Sequence, residues 1–306
     1  MQSLSGKIVS ALLCAVFHSP LINNSEISNN AGKKTKEYKS RYKSSKEFNY
    51  SVHSLNDVNY EILEPKQKGN KKVVLLLHGG SYKVRLIDMY RRLAERISRT
   101  LNYCTVYNLD YRTLPEYKYP AQIEDTVAMF QEIQRQGVEA NNIVFIGDSA
   151  GANLALTSTL YMRDNGMNLP STIVCFSLWG DMTNSGKSVV DNCYRDPFGG
   201  VARRKKVEDN WDYLHRISAF AKDLDRSSPY VSSSFADFTD FPPVTLICGE
   251  AEMDRSANEL AFDNMKNAGV DAELHVFDGM FHDFQLFPFF PETKRAFEIM
   301  KNRIIK

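Results

Sequence analysis

Six short apolar runs alternate with stretches of helical spacing from Lys72 to the C-terminal end, and this alternation constrains the fold more than any other feature. The run KVVLLL (72–77) is continuously apolar, the pattern of a strand covered on both faces rather than one. Helical spacing follows over 87–100. The same pairing recurs as strand 103–109 with helix 121–136, and as strand 143–146 with helix 150–163. Strand 172–177 comes next, then strand 244–248 with helix 256–268, and strand 273–277 with helix 291–305. Pro120 and Gly137 bracket the second helix, as start and stop signals should. Strand–helix–strand units close by right-handed crossovers, so the pattern predicts a mostly parallel sheet with helices on both faces. Upstream, 48–52 and 58–63 read as a hairpin with Asn56-Asp57 at its turn, which brings the expected sheet to eight strands.

One region breaks the rhythm. About sixty residues between Asp181 and Pro242 carry no strong strand, although 207–224 has helical spacing. Ligands in such sheets bind beyond the carboxyl ends of the strands. An insertion launched from that edge is therefore placed to form a lid.

Composition narrows the partners. The 306 residues are 43% hydrophobic and 25% charged with a net charge of +1, the balance of an ordinary globular chain without a polyanion partner such as nucleic acid. Five scattered cysteines show no CxxC spacing, which signals neither zinc nor a redox motif and points to a reducing compartment. The run IVSALLCAVF (8–17) is too short to span a bilayer, so no integral membrane segment is expected. It resembles the core of a secretion signal, yet a thin charged region and the lack of an A-x-A site favour an amphipathic helix packed on the body. The expected location is cytoplasmic, with the secretion signal as the alternative. Residues 22–46 are Lys/Ser/Asn-rich and read either as a solvated linker or as a segment ordered over a binding site.

The chemistry centres on IVFIGDSAGANL (143–154). Ser149 lies between Gly147 and Gly151 where a strand gives way to a helix, the setting of a nucleophile elbow. A structural turn is the competing reading. A serine hydroxyl needs a base and an orienting acid, in the chain order Ser, acid, His. His275 sits inside a strand pattern, whereas His282 follows the strand in the loop FDGMFHDF, so His282 is the expected base. The loop after strand 244–248 offers Glu250, Glu252 and Asp254, and spacing does not choose among them. Upstream, HGGSY (78–82) exposes amides of Gly79 and Gly80, which with the Ala150 amide would hold a developing oxyanion.

Together these residues resemble the hormone-sensitive-lipase-like family of α/β-hydrolases, over roughly residues 60–305. HGGSY is similar to the family's HGGG motif, with Ser81 replacing a third glycine. GDSAG (147–151) matches its elbow, and DYRTLPEYKYPAQIED (110–125) is similar to its D-Y-R-L-A-P-E segment. The segments at 177–188 and 228–250 also look like family connections, in which Asp181 and Asp237 are structural. Laying the family's acid motif on this loop places Glu252 at the acid position and Ser256 at the second Asp, with Asp254 where leucine is usual. The resemblance implies an α/β-hydrolase core over 47–184 and 231–306, and a helical cap built from 1–46 and 185–230. It further implies a carboxylesterase acting on small short-acyl esters with neither metal nor cofactor. The expected mechanism runs through an acyl-Ser149 intermediate with His282 as base and Glu252 as acid. An amidase or formamidase on the same triad is one rival, and a non-catalytic ligand-binding member of the fold is the other. Oligomeric state is left open by the residues.

Overall fold

The computed structural model describes residues 2–18, 40–67, 69–201, 206 and 218–305. Its centre is one eight-stranded sheet: β1 (Phe48–Leu55), β2 (Val58–Pro65), β3 (Val73–Leu77), β4 (Thr105–Leu109), β5 (Ile143–Asp148), β6 (Thr172–Phe176), β7 (Val244–Gly249) and β8 (Ala272–Phe277). The spatial order is β1-β2-β4-β3-β5-β6-β7-β8. The hairpin β1–β2 and its junction with β4 are antiparallel, and every other pairing is parallel. The α/β fold expected from the alternation is therefore the observed one.

The apolar runs explain the sheet's position. Every residue of β3, β5, β6 and β7 is buried, and alternate side chains feed two cores, one on each face. Leu75, Leu77, Ile143 and Phe145 enter the first core, while Val74, Leu76, Val144 and Ile146 enter the second. Each fully buried aliphatic side chain contributes about 1.5–3 kcal/mol, so these four strands anchor everything attached to their ends.

Among the described residues the helices, all but the short one at Ser188–Asp191, fall where the sequence pattern placed them. They are α1 (Leu4–Phe17), α2 (Asp88–Thr100), α3 (Ala121–Arg135), α4 (Ala150–Asp164), α5 (Ser188–Asp191), α6 (Arg255–Asn267) and α7 (Pro291–Ile304). The run at 8–17 lies within α1, whose N-cap Ser3 accepts the Gly6 amide at 3.0 Å. Val9 and Leu13 pack against the second core, as an amphipathic helix docked on the body requires. Gln2 Nε2 donates to the Gly279 carbonyl at 2.7 Å, and the Ser3 amide donates to Glu292 Oε1 at 2.6 Å. Among the described residues, no helix is long and apolar enough to cross a membrane.

The insertion between β6 and β7 differs from its expected helical content. Residues 207–217 of the helical pattern lie outside the described residues, and 218–224 form bends and turns. The one α-helix described in the insertion is α5. Most of 22–46 likewise lies outside the described residues. A small apolar cluster of Val189, Cys193, Val201 and Met253 and a set of polar contacts hold the insertion. Asn192 Nδ2 donates to the carbonyls of Glu250 and Glu252, at 2.9 and 2.7 Å, and the Met253 amide donates to Asp196 Oδ2 at 3.0 Å. An aromatic contact adds to this on another side, where Phe220 stacks on Tyr82 with ring centroids 4.0 Å apart.

Candidate active site

Ser149 follows β5 directly and caps α4, with φ 51° and ψ −118°. That backbone is uncommon for a non-glycine residue and stores roughly 1–3 kcal/mol of strain. The flanking glycines make it sterically feasible. A Cβ on Gly147 would lie 2.4 Å from the Gly151 carbonyl oxygen, and one on Gly151 would lie 2.0 Å from that of Leu77. Strand and helix therefore approach as closely as two backbones can. The competing idea of a plain structural turn does not account for what the serine faces.

Ser149 Oγ lies 2.9 Å from His282 Nε2. His282 stands in the loop between β8 and α7, largely buried beside Met280 and Phe281. His275 stays in β8 and pairs with Glu273 at 3.1 Å, away from the serine.

Of the three candidate acids, one separates clearly from the other two. Glu250 is occupied elsewhere: its carboxylate accepts from Arg195 Nη1 at 2.7 Å and from the Gly279 amide at 3.2 Å. Glu252 is fully buried, and its Oε1 accepts from the Ser177 hydroxyl at 2.7 Å and from the Gly249 amide at 2.6 Å. Its Oε2 has no hydrogen-bond partner and lies 3.6 Å from His282 Nδ1. Asp254 Oδ2 lies 3.5 Å from the same nitrogen. Both Glu252 and Asp254 therefore stand behind the imidazole.

Residues that pattern reading passed over complete the surroundings. Asp283 Oδ2 is 3.4 Å from His282 Nε2, and the Asp283 amide donates to Ser177 Oγ at 2.9 Å. Asp148, the second residue of GDSAG, is buried and accepts the Gly79 amide at 3.1 Å and the Tyr90 hydroxyl at 2.8 Å. Adjacency to the serine and histidine was the available signal for Asp148 and Asp283. For Tyr90 and Ser177 there was none, because distant segments deliver them.

This network corrects the expected oxyanion donors. The Gly79 amide is bonded to Tyr90 Oη at 3.0 Å as well as to Asp148, below the loop, because it ends β3 over a buried acid. The amides of Gly80, Ser81 and Ala150 have no partner among the described residues. His78 Nδ1 lies 2.8 Å from the Gly79 carbonyl and its ring stacks on Tyr111 at 4.1 Å. Gripping that carbonyl fixes the peptide plane that carries the Gly80 N–H.

Electrostatics follow from burial and crowding. Burial pushes Asp254 up to about 7 and Asp148 up to about 6, against the pull of His282 on each. Glu252 is also raised by burial, and Asp283 lies well above the ordinary carboxylate range for the same reason. Burial alone would lower His282, but the charges of Asp283, Glu252 and Asp254 outweigh it and hold the imidazole well above 6.5. Burial lowers His78 to about 4, which keeps it neutral under the loop. Among the described residues no group of three His, Cys, Asp or Glu side chains is arranged to hold a metal ion.

This arrangement has close counterparts. Residues 74–286 match the family described as alpha/beta hydrolase fold. The chain is 30% identical over 232 residues to an acetyl-hydrolase of Streptomyces hygroscopicus, spanning 74% of this chain and 73% of the relative. An esterase of Acinetobacter venetianus is 26% identical over 232 residues, 75% of this chain and 73% of its own. A crystal structure of an esterase from the bacterial hormone-sensitive lipase family superposes with a TM-score of 0.81 at 27% identity, covering 99% of each chain. The chain belongs to the α/β-hydrolase fold family, in its hormone-sensitive-lipase-like branch.

Proposed function

We propose that the chain is a serine carboxylic-ester hydrolase acting on small short-acyl esters. The single observation that carries this reading is the 2.9 Å contact between Ser149 Oγ and His282 Nε2 on a strained elbow. Membership of a family whose named relatives include an acetyl-hydrolase and esterases supports it.

Ser149 Oγ attacks the ester carbonyl carbon while His282 Nε2 takes its proton. The amides of Gly80 and Ala150 receive the oxyanion, with Ser81 as the third donor in place of Gly79. Collapse expels the alcohol, which leaves with the proton from His282, and forms acyl-Ser149. Water then gives a proton to His282 as it attacks the acyl carbon, and collapse releases the acid while His282 returns that proton to Ser149 Oγ. Glu252 orients the imidazole and stabilises its cation. In this reading 185–230 and the N-terminal segment act as the cap. Five scattered cysteines with no CxxC spacing fit a reducing, cytoplasmic setting.

Ser149→Ala should reduce p-nitrophenyl acetate hydrolysis to near background and abolish labelling by a fluorophosphonate probe. Retention of most activity would sink the proposal. A matched amide panel, hydrolysed faster than the esters, would turn it toward an amidase.

A further inference from the structure

His282 Nδ1 faces two carboxylate oxygens at nearly equal range, Glu252 Oε2 at 3.6 Å and Asp254 Oδ2 at 3.5 Å. Neither is close enough to claim the N–H alone, since such bonds ordinarily span 2.7–3.2 Å. Geometry alone thus does not rank Glu252 over Asp254.

Asp254 occupies the N-cap of α6, where an aspartate carboxylate ordinarily accepts an amide of the first turn. It makes no such bond. The Ser256 amide donates to Ser188 Oγ at 2.8 Å, and Asp254 contributes its backbone carbonyl to the Ala257 amide at 3.0 Å. The helix start is thereby satisfied without the carboxylate, which turns to the imidazole. Glu252 also has one oxygen engaged, by Ser177 and Gly249, and one left for Nδ1.

We propose that Asp254 is a second positioning carboxylate for His282, sharing Nδ1 with Glu252. The inference rests on the reading of Ser149 and His282 as nucleophile and base. Two anions at one nitrogen make the positioning redundant, because either can hold the Nδ1–H tautomer and stabilise the imidazolium. Other charged groups face the same region. Asp283 lies on the Nε2 side and Asp148 at the end of β5, and Asp181 and Asp196 of the insertion face Asp254. All are present in every variant below, so differences between variants report on Nδ1 alone.

The test compares wild type, Glu252→Gln, Asp254→Asn, the double variant and Ser149→Ala. Kinetics use p-nitrophenyl acetate, and His282 is titrated by NMR in protein labelled at histidine Cε1, assigned with His282→Gln. Each single substitution should lower kcat about tenfold with KM within twofold, and the double should lose more than the product of the singles, toward the ~10⁴-fold seen when a triad acid is neutralised. Removing an anion beside an imidazolium lowers the histidine's pKa, so Asp254→Asn should move both the His282 titration and the acid limb of kcat/KM to lower pH. Asp254→Glu should restore both. The proposal is overturned if Asp254→Asn leaves kcat and the His282 titration unchanged in both the wild-type and Glu252→Gln backgrounds. Should Asp254→Asn fail to fold, Asp254→Ser removes the charge while keeping an N-cap oxygen, and is read the same way. An inactive wild type, or an active Ser149→Ala, would instead defeat the ester-hydrolase reading, and the NMR titration would still decide the role of Asp254.

Discussion

The hydroxyl of Tyr90, on α2, donates to Asp148 Oδ2 at the end of β5 at 2.8 Å and accepts the Gly79 amide at 3.0 Å. One phenol thereby ties together the strand that leads into Ser149, the loop that carries Gly79 and Gly80, and the helix α2. All three partners are buried from solvent. Tyr90→Phe leaves Asp148 Oδ2 without its donor in that interior, which should cost about 1–3 kcal/mol in urea unfolding. The lost hydrogen bond also raises the Asp148 carboxyl further, since the Tyr90 contact works against burial. Unchanged stability would show that the network is incidental to the fold.

Gly80 has φ +107°, and a Cβ there would fall 2.6 Å from Val84 Cβ. Gly80→Ala must therefore rotate the peptide that presents the amide. Loss of one oxyanion donor should lower kcat about 10²–10³-fold, with KM little altered. Steady-state kinetics on p-nitrophenyl acetate measure this, and a pure KM effect would remove Gly80 from the oxyanion site.

Gly151 meets backbone rather than side chain: the Leu77 and His78 carbonyl oxygens lie 2.0 and 2.6 Å from where a Cβ would sit. Backbone in a central strand cannot move aside, so Gly151→Ala should lose roughly 3 kcal/mol or more. Ser149→Ala, by contrast, should stay within about 1 kcal/mol of wild type. Thermal unfolding of the pair separates a steric demand of the elbow from a chemical one.

Stability should fall as pH rises from about 5.5 to 8. Asp148 and Asp254, pushed to about 6 and about 7, lie above their ordinary 3.8. Each binds its proton more tightly when folded, so its contribution is full below about pH 4 and is lost as pH climbs through 6–7. His282, held above its ordinary 6.5, contributes in the same direction: its share is present below 6.5 and is lost at higher pH. Glu95, Glu250 and Glu292 are lowered from 4.5 and complete their titration below this window. His78, lowered to about 4, works the other way up to its ordinary 6.5, and the three raised groups outweigh it. Urea unfolding at pH 5.5 and 8 checks the trend. Asp254→Asn should flatten it, and stability that rises with pH would contradict the buried-acid picture.

How much of this was legible in the residues follows from range. Unbroken apolar runs and helical periods are local properties, so the strand–helix order, the elbow at Ser149 and the loop position of His282 could be read from neighbours in the chain. The bracketing glycines of GDSAG carry a steric demand that survives in any context with a strand before and a helix after. Three things could not be read that way. The direction of the Gly79 amide depends on Tyr90 and Asp148, eleven and sixty-nine residues away. The division of labour among Glu250, Glu252 and Asp254 depends on Arg195, Ser177 and His282, which only the folded sheet brings to one edge. The helical period ending at Leu224 gave way, in its described part, to turns seated by the Phe220–Tyr82 stack. Local pattern determined which segments become strands and helices and that Ser149 stands at the turn between a strand and a helix. The tertiary structure decided which amide is free and which carboxylates face the imidazole, because hydrogen bonds and charge–charge contacts act over a few ångströms of space, whatever the distance along the chain.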